Sequence, residues 1–210
     1  MLKEKLFAAA FALLLVCAFA GAASAQSDDE DAANQNDVAA QAASKRLASA
    51  DAVVRQQAAE ELARLSANEQ QKLVQGYYIQ EKNSRVKLAL AWALYRMSKS
   101  EMLFAVVREL DSSRAEQAAS YLRTLDDAEP LYMFLGTAKP RVVVELLKVF
   151  ADIGNQTTLA QIKPLIESTD LKVSAAAQRA TQAINERLAQ SQPEAPSRPR
   201  QVGRAAEGSP

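Results

Sequence analysis

The sequence predicts an all-α fold, a right-handed α-solenoid of about five helix pairs. Two observations lead there. In the stretch DAVVRQQAAEELARL, from Asp51 to Leu65, Val54, Ala58, Leu62 and Leu65 fall at spacings of four, four and three, which makes one apolar stripe along a helix. Versions of that stripe, each preceded by a helix-start signal, then recur four more times downstream.

At the amino terminus, Lys3 and Lys5 precede an apolar run from Leu6 to Ala20, and Ala23-Ser24-Ala25 precede Gln26. This is the pattern of a secretory signal peptide over residues 1–25 with an A-x-A cleavage site. The run is shorter than the roughly 20 apolar residues of a transmembrane helix, so no stable membrane span is expected after cleavage. Cys17, the only cysteine, lies inside the segment, and Val16 stands where a lipoprotein signal carries a small residue. Cleavage after Ala25 leaves a mature chain without disulfides or thiolates, which points to a bacterial periplasm or exterior. Residues 26–36, with Asp28, Asp29, Glu30 and Asp31, are expected to form an acidic disordered linker. A second disordered tail is expected over 190–210, where Pro193, Pro196 and Pro199 accompany Arg198, Arg200 and Arg204.

The repeat domain is expected over 37–189. The position of Asp51 is matched by Asn83, Asp111, Lys139 and Asp170, and four of these five residues can cap a helix. Lys139 cannot, but Pro140 follows it and suits the first helical position. The stripe then continues as Val86, Leu90, Leu94 and Met97; as Arg114, Ala118, Leu122 and Leu125; as Val142, Leu146, Phe150 and Ile153; and as Val173, Ala177, Thr181 and Ile184. Only Arg114 and Thr181 break it. Four residues before each start point lie Leu47, Ile79, Val107, Leu135 and Ile166, expected as the apolar ends of the preceding helices. Ser66-x-x-Glu69, Ser98-x-x-Glu101 and Asp126-x-x-Glu129 are expected to open those helices as capping boxes. Neither helix of a pair can bury its apolar face alone, so stacking of pairs must supply the core.

The pattern Asp51-x-x-Val54-Arg55-x-x-Ala58-Ala59-x-x-Leu62-x-x-Leu65 resembles the second helix of the HEAT-repeat family in its short bacterial form, similar to the PBS-lyase HEAT-like type. Pro164 in QIKPLIES resembles the proline that kinks the family's first helix. The family's basic residue after the valine is present as Arg55 and Lys87 but is replaced by Ala115, Val143 and Ser174. The resemblance implies a non-catalytic scaffold whose second helices line a concave face. An alternative it brings is an enzyme or enzyme accessory resembling the lyases that attach bilin pigments.

The chemistry available is narrow. There is no histidine, the commonest general base, metal ligand and partner of a nucleophilic serine. Ser84-Arg85-Val86-Lys87 has the S-x-x-K form of serine penicillin-recognising enzymes, but no S-D-N or K-T-G accompanies it. Asp126, Asp127 and Glu129 are close enough in sequence for paired-carboxylate chemistry, and equally suit the negative charge favoured at a helix start. No enzyme activity, cofactor or metal is expected. With 24% charged residues and zero formal charge, a nucleic-acid partner is not expected either.

The candidate partner-binding residues are Leu88, Trp92 and Tyr95, which give the second unit's second helix another apolar side, with Arg85, Arg96, Lys148 and Arg179 as flanking cations. Two readings of Trp92 stand side by side: an anchor for a partner, or packing between neighbouring units. A basic surface with one aromatic patch suits a protein or peptide carrying an acidic segment; cell-wall glycan is a further possible ligand for Trp92 and Tyr95.

Overall fold

The computed structural model describes residues 23–191, and among these the chain is all helical, with no strand. The signal-peptide expectation for residues 1–22 and the tail expected beyond Ser191 lie outside the described residues. No described helix is long and apolar enough to cross a membrane.

The helices are α1 (Ala23–Arg46), α2 (Ala52–Arg64), α3 (Gln71–Gln80), α4 (Ser84–Arg96), α5 (Met102–Arg108), α6 (Ala115–Leu122), α7 (Pro140–Ile153), α8 (Gln156–Ile162) and α9 (Leu171–Ser191). Short 3₁₀ turns occupy Asn68–Gln70, Glu109–Asp111, Glu129–Phe134 and Lys163–Glu167. Two compact units divide the chain after Ala118.

In the first unit, α2 packs on α1 and on α4, and α4 packs in turn on α3 and α5. Helix α4 is therefore the best covered, and every residue from Leu88 to Leu94 is buried. In the second unit α9 lies along α7 and also touches α8 and the 3₁₀ turn before it. The apolar stripes supply both cores: Ala58 and Leu62, Leu90 and Leu94, and Leu122 in the first three copies, then Leu146, Phe150 and Ile184, are buried.

The expected helix starts are present in detail. Asp51 accepts the Val53 amide at 2.8 Å, Asn83 the Arg85 amide at 3.0 Å, and Asp170 the Lys172 amide at 2.9 Å. Pro140 opens α7 behind an uncapped Lys139. In the third copy Asp111 is taken into a 3₁₀ turn, and the Ser112 hydroxyl accepts the Arg114 amide at 3.0 Å in the turn that leads into α6 at Ala115. At Pro164 the α-helix has already ended, and the chain continues as the 3₁₀ turn Lys163–Glu167.

Several expectations are corrected. Residues 26–36 are not irregular but run within α1, a stretch with no proline or glycine to interrupt it. Ser66 and Ser98 do not open helices; they close α2 and α4 with φ of 48° and 69°. In each case the next amide turns back to a carbonyl of the helix, Ala67 to Leu62 at 3.2 Å and Lys99 to Leu94 at 3.0 Å, satisfying groups that a helix end leaves free. Ile79 does lie at the end of α3, as expected, but it is 69% exposed. It lies five residues after Val74, the buried residue of α3, hence about 140° round the helix, and half-buried Tyr78 takes the inward position. The first helices of the third and fourth copies are short, α5 with 7 residues and the fourth reduced to the 3₁₀ turn Glu129–Phe134. Those copies start 28 rather than 32 residues after their predecessors, a deficit of about one helical turn.

Candidate functional site

Helix α4 begins at Ser84 because Asn83 caps it, and its alternating requirements follow from its neighbours. Val86, Leu90, Leu94 and Met97 serve the expected stripe, and all are buried. Leu88 and Trp92, on the other side, are also buried, at 3% and 4% exposure. Of the two readings of Trp92, its burial agrees with packing: with α2, α3 and α5 all against α4, both sides of the helix are interior. Trp92 stacks on Tyr95, with ring centroids 5.4 Å apart and 30° between planes. Tyr95 is half-buried, and burial pushes its phenol up, with Arg96 acting weakly in the opposite direction.

The remaining candidates keep solvent contact. Arg85 is exposed on the first turn of α4, where its carbonyl accepts the Gln117 side-chain amide at 3.1 Å, and Arg96 is half-exposed in the last turn. In the second unit, exposed Lys148 on α7 pairs with Glu145 at 2.8 Å, and exposed Arg179 on α9 donates to the Ala175 carbonyl at 3.2 Å.

The chemically suggestive motifs have structural duties. Lys87 of the S-x-x-K stretch places its ammonium 5.2 Å from the Tyr78 ring centroid, and Ser84 is the exposed first residue of α4. Asp127 accepts the Glu129 amide at 3.0 Å at the start of the 3₁₀ turn.

Sequence reasoning missed a polar cluster beside the start of α2. Arg55 forms a two-pronged pair with Glu81, at 2.8 and 3.1 Å, and donates at 2.9 Å to the carbonyls of Ser49 and of Ala50 just beyond α1. Glu81 also accepts the Asn83 amide at 2.8 Å, so it orients the cap of α4. Its carboxyl is held below the usual carboxylate range, chiefly by hydrogen bonding from Arg55, with burial opposing and the Asn83 amide assisting. These residues line a cleft of about 340 Å³ that includes Tyr77 and Lys82. The available signal was the position of Glu81: two residues before the cap, where Ser49 and Ser168 hold the amides of Asp51 and Asp170.

The second unit has a comparable clamp. Arg187 of α9 donates to the carbonyls of Ala151, Asp152 and Gly154 at the end of α7. Beside it, Asn155 and Thr158 form a reciprocal cap for α8, and the Thr158 hydroxyl meets the Tyr132 hydroxyl at 2.8 Å.

No protein-family model matches the chain. No curated protein matches it. Among solved structures, one described as an engineered protein is similar, with a TM-score of 0.34 and 21% identity over 70% of this chain and 79% of that one.

Proposed function

We propose that the protein is an exported, non-catalytic scaffold, a HEAT-like solenoid that holds a protein or peptide partner on its surface. The observation that carries this reading is the reuse of one set of contacts along the chain. Side-chain hydrogen bonds reach 26 residues ahead from Ser44 to Gln70, from Arg55 to Glu81, from Gln71 to the Met97 carbonyl and from Tyr132 to Thr158. The first and last tie the first element of one pair to the first element of the next, and the middle two tie α3 to α2 before it and α4 after it, as stacked pairs require. A sequence without histidine supports a binding role over catalysis.

With Leu88 and Trp92 withdrawn into the core, the candidate contacts are Arg85, Tyr95 and Arg96 on the first unit and, as a separate set, Lys148 and Arg179 on the second. Such cations favour an acidic partner. The test is affinity capture of the mature protein from its own envelope fraction beside a variant carrying Arg85→Glu, Lys148→Glu and Arg179→Glu. One protein retained in stoichiometric amount by the wild type, and lost by the equally helical variant, is the expected result. Equal retention by both would overturn the surface assignment.

A further inference from the structure

The cleft that holds Arg55 and Glu81 has a counterpart one copy further on, between the start of α4 and the end of α5. Lys87 stands 32 residues after Arg55, and Glu109 stands 28 residues after Glu81, the two local repeat lengths. Both residues line this second cleft, with Tyr78, Arg108 and Arg114, and its volume is about 90 Å³.

The equivalent ion pair has not formed. Glu109 is engaged by Arg114, whose Nε donates at 2.7 Å, and by the Ser112 hydroxyl at 2.8 Å. Arg114 is the residue that breaks the apolar stripe, and its guanidinium reaches Glu109 instead of entering the core. Lys87 rests over Tyr78. Arg108 is exposed and makes no ion pair among the described residues. Three cations therefore line the cleft against one carboxylate, whereas the first cleft has its arginine and glutamate closed on each other.

We propose that this second cleft is a receptor for one carboxylate side chain of an acidic peptide segment. The excess of positive charge selects an anion. A volume of about 90 Å³ admits a single side chain rather than a folded ligand, and Leu88 and Ala105 give its wall an apolar part suited to the methylenes of a glutamate. Arg108 supplies the planar donor fork that matches a carboxylate, and Lys87 a movable ammonium. The nature of the ligand rests on the partner-binding reading above, but the cleft is defined by its own geometry.

The probe is a short fluorescein-labelled peptide carrying three successive glutamates, with its glutamine counterpart as control, titrated by fluorescence anisotropy into the full mature chain. Binding of the glutamate peptide, weakened about tenfold by Arg108→Gln and similarly by Lys87→Gln, is expected, since each removes a charge-assisted contact. The thermal melts of both variants should match the wild type. Affinity unchanged in both folded variants, or equal binding of the glutamine peptide, would overturn the proposal. Loss of envelope capture by the charge-reversed surface variant with peptide binding intact leaves the cleft standing. Capture that persists while the peptide shows no carboxylate dependence removes the cleft alone.

Discussion

Two clefts at equivalent places in successive copies hold the same kinds of residue and treat them differently. In the first, Arg55 and Glu81 close on each other, and the arginine also gathers two carbonyls beyond α1. In the second, Glu109 has been drawn to Arg114, and Lys87 is left on an aromatic ring. An arginine where other copies carry valine, with the Ser112 hydroxyl beside it, engages in the second cleft the glutamate that the first cleft's arginine holds. Departure from the repeat, more than the repeat itself, marks where binding is to be sought.

The largest effect should come from the closed cleft. Arg55→Ala leaves Glu81, with a side chain only 8% exposed, without its cation and frees two carbonyls. A loss of about 2–3 kcal/mol in urea unfolding is expected, since charge-assisted hydrogen bonds at a part-buried site are lost together. Lys87→Ala, its counterpart, should cost less than about 1 kcal/mol, because a cation over a ring at a partly open site is worth no more. Similar losses at the two sites would break the comparison.

Acid should act on the same cleft. Glu81 titrates below its unfolded value, so the stability it contributes is complete above that value, about pH 4.3, and is lost as pH falls through the folded value. Glu81→Gln should lower stability at neutral pH by about 2 kcal/mol, the worth of hydrogen bonds to a charged group. It should also flatten the fall below pH 4.3 seen in urea titrations of the wild type. A variant as acid-sensitive as the wild type would place that sensitivity elsewhere.

The open cleft can be closed by design. Arg114→Val restores the residue present as Val54, Val86, Val142 and Val173, and it releases Glu109 to Lys87. Glutamate-peptide affinity should fall about tenfold, the equivalent of 1.4 kcal/mol, while the chain stays folded. Undiminished affinity would show that the stripe break has no part in binding.

The smallest effect concerns what the two copies share. Ser66→Gly and Ser98→Gly remove the cost of a left-handed φ at equivalent helix ends, and each should raise stability by about 0.5–1 kcal/mol in thermal melts. Equal gains would show that the turns are equivalent although the clefts are not. A gain at only one would extend the difference to the whole copy.

Much of the fold was legible because two local signals agreed. The stripe from Val54 to Leu65 set the helix face, and caps such as Asp51, Asn83 and Asp170 set the starts. What escaped depended on neighbours. Ser66 and Ser98 have the composition of helix starts, yet their place is decided by the carbonyls left at the ends of α2 and α4. Trp92 carries the right chemistry for an anchor, but exposure is a property of what packs on α4, and that includes α2, α3 and α5. In the second cleft, Arg114 was visible as a break in the stripe and Lys87 as the counterpart of Arg55. Glu109 is held by Arg114 and the Ser112 hydroxyl together, a pairing set by the fold of the turn before α6.

The most direct measurement of the difference between the clefts is an NMR titration of the mature protein with the glutamate peptide, following backbone amides and arginine Nε–H signals together. Shifts that saturate at Lys87, Arg108 and Arg114 while the Arg55 Nε–H signal stays in place are the expected result. A saturable shift of Arg55, or peptide binding with the Arg108 signal unmoved, would contradict the assignment of the second cleft as the receptor.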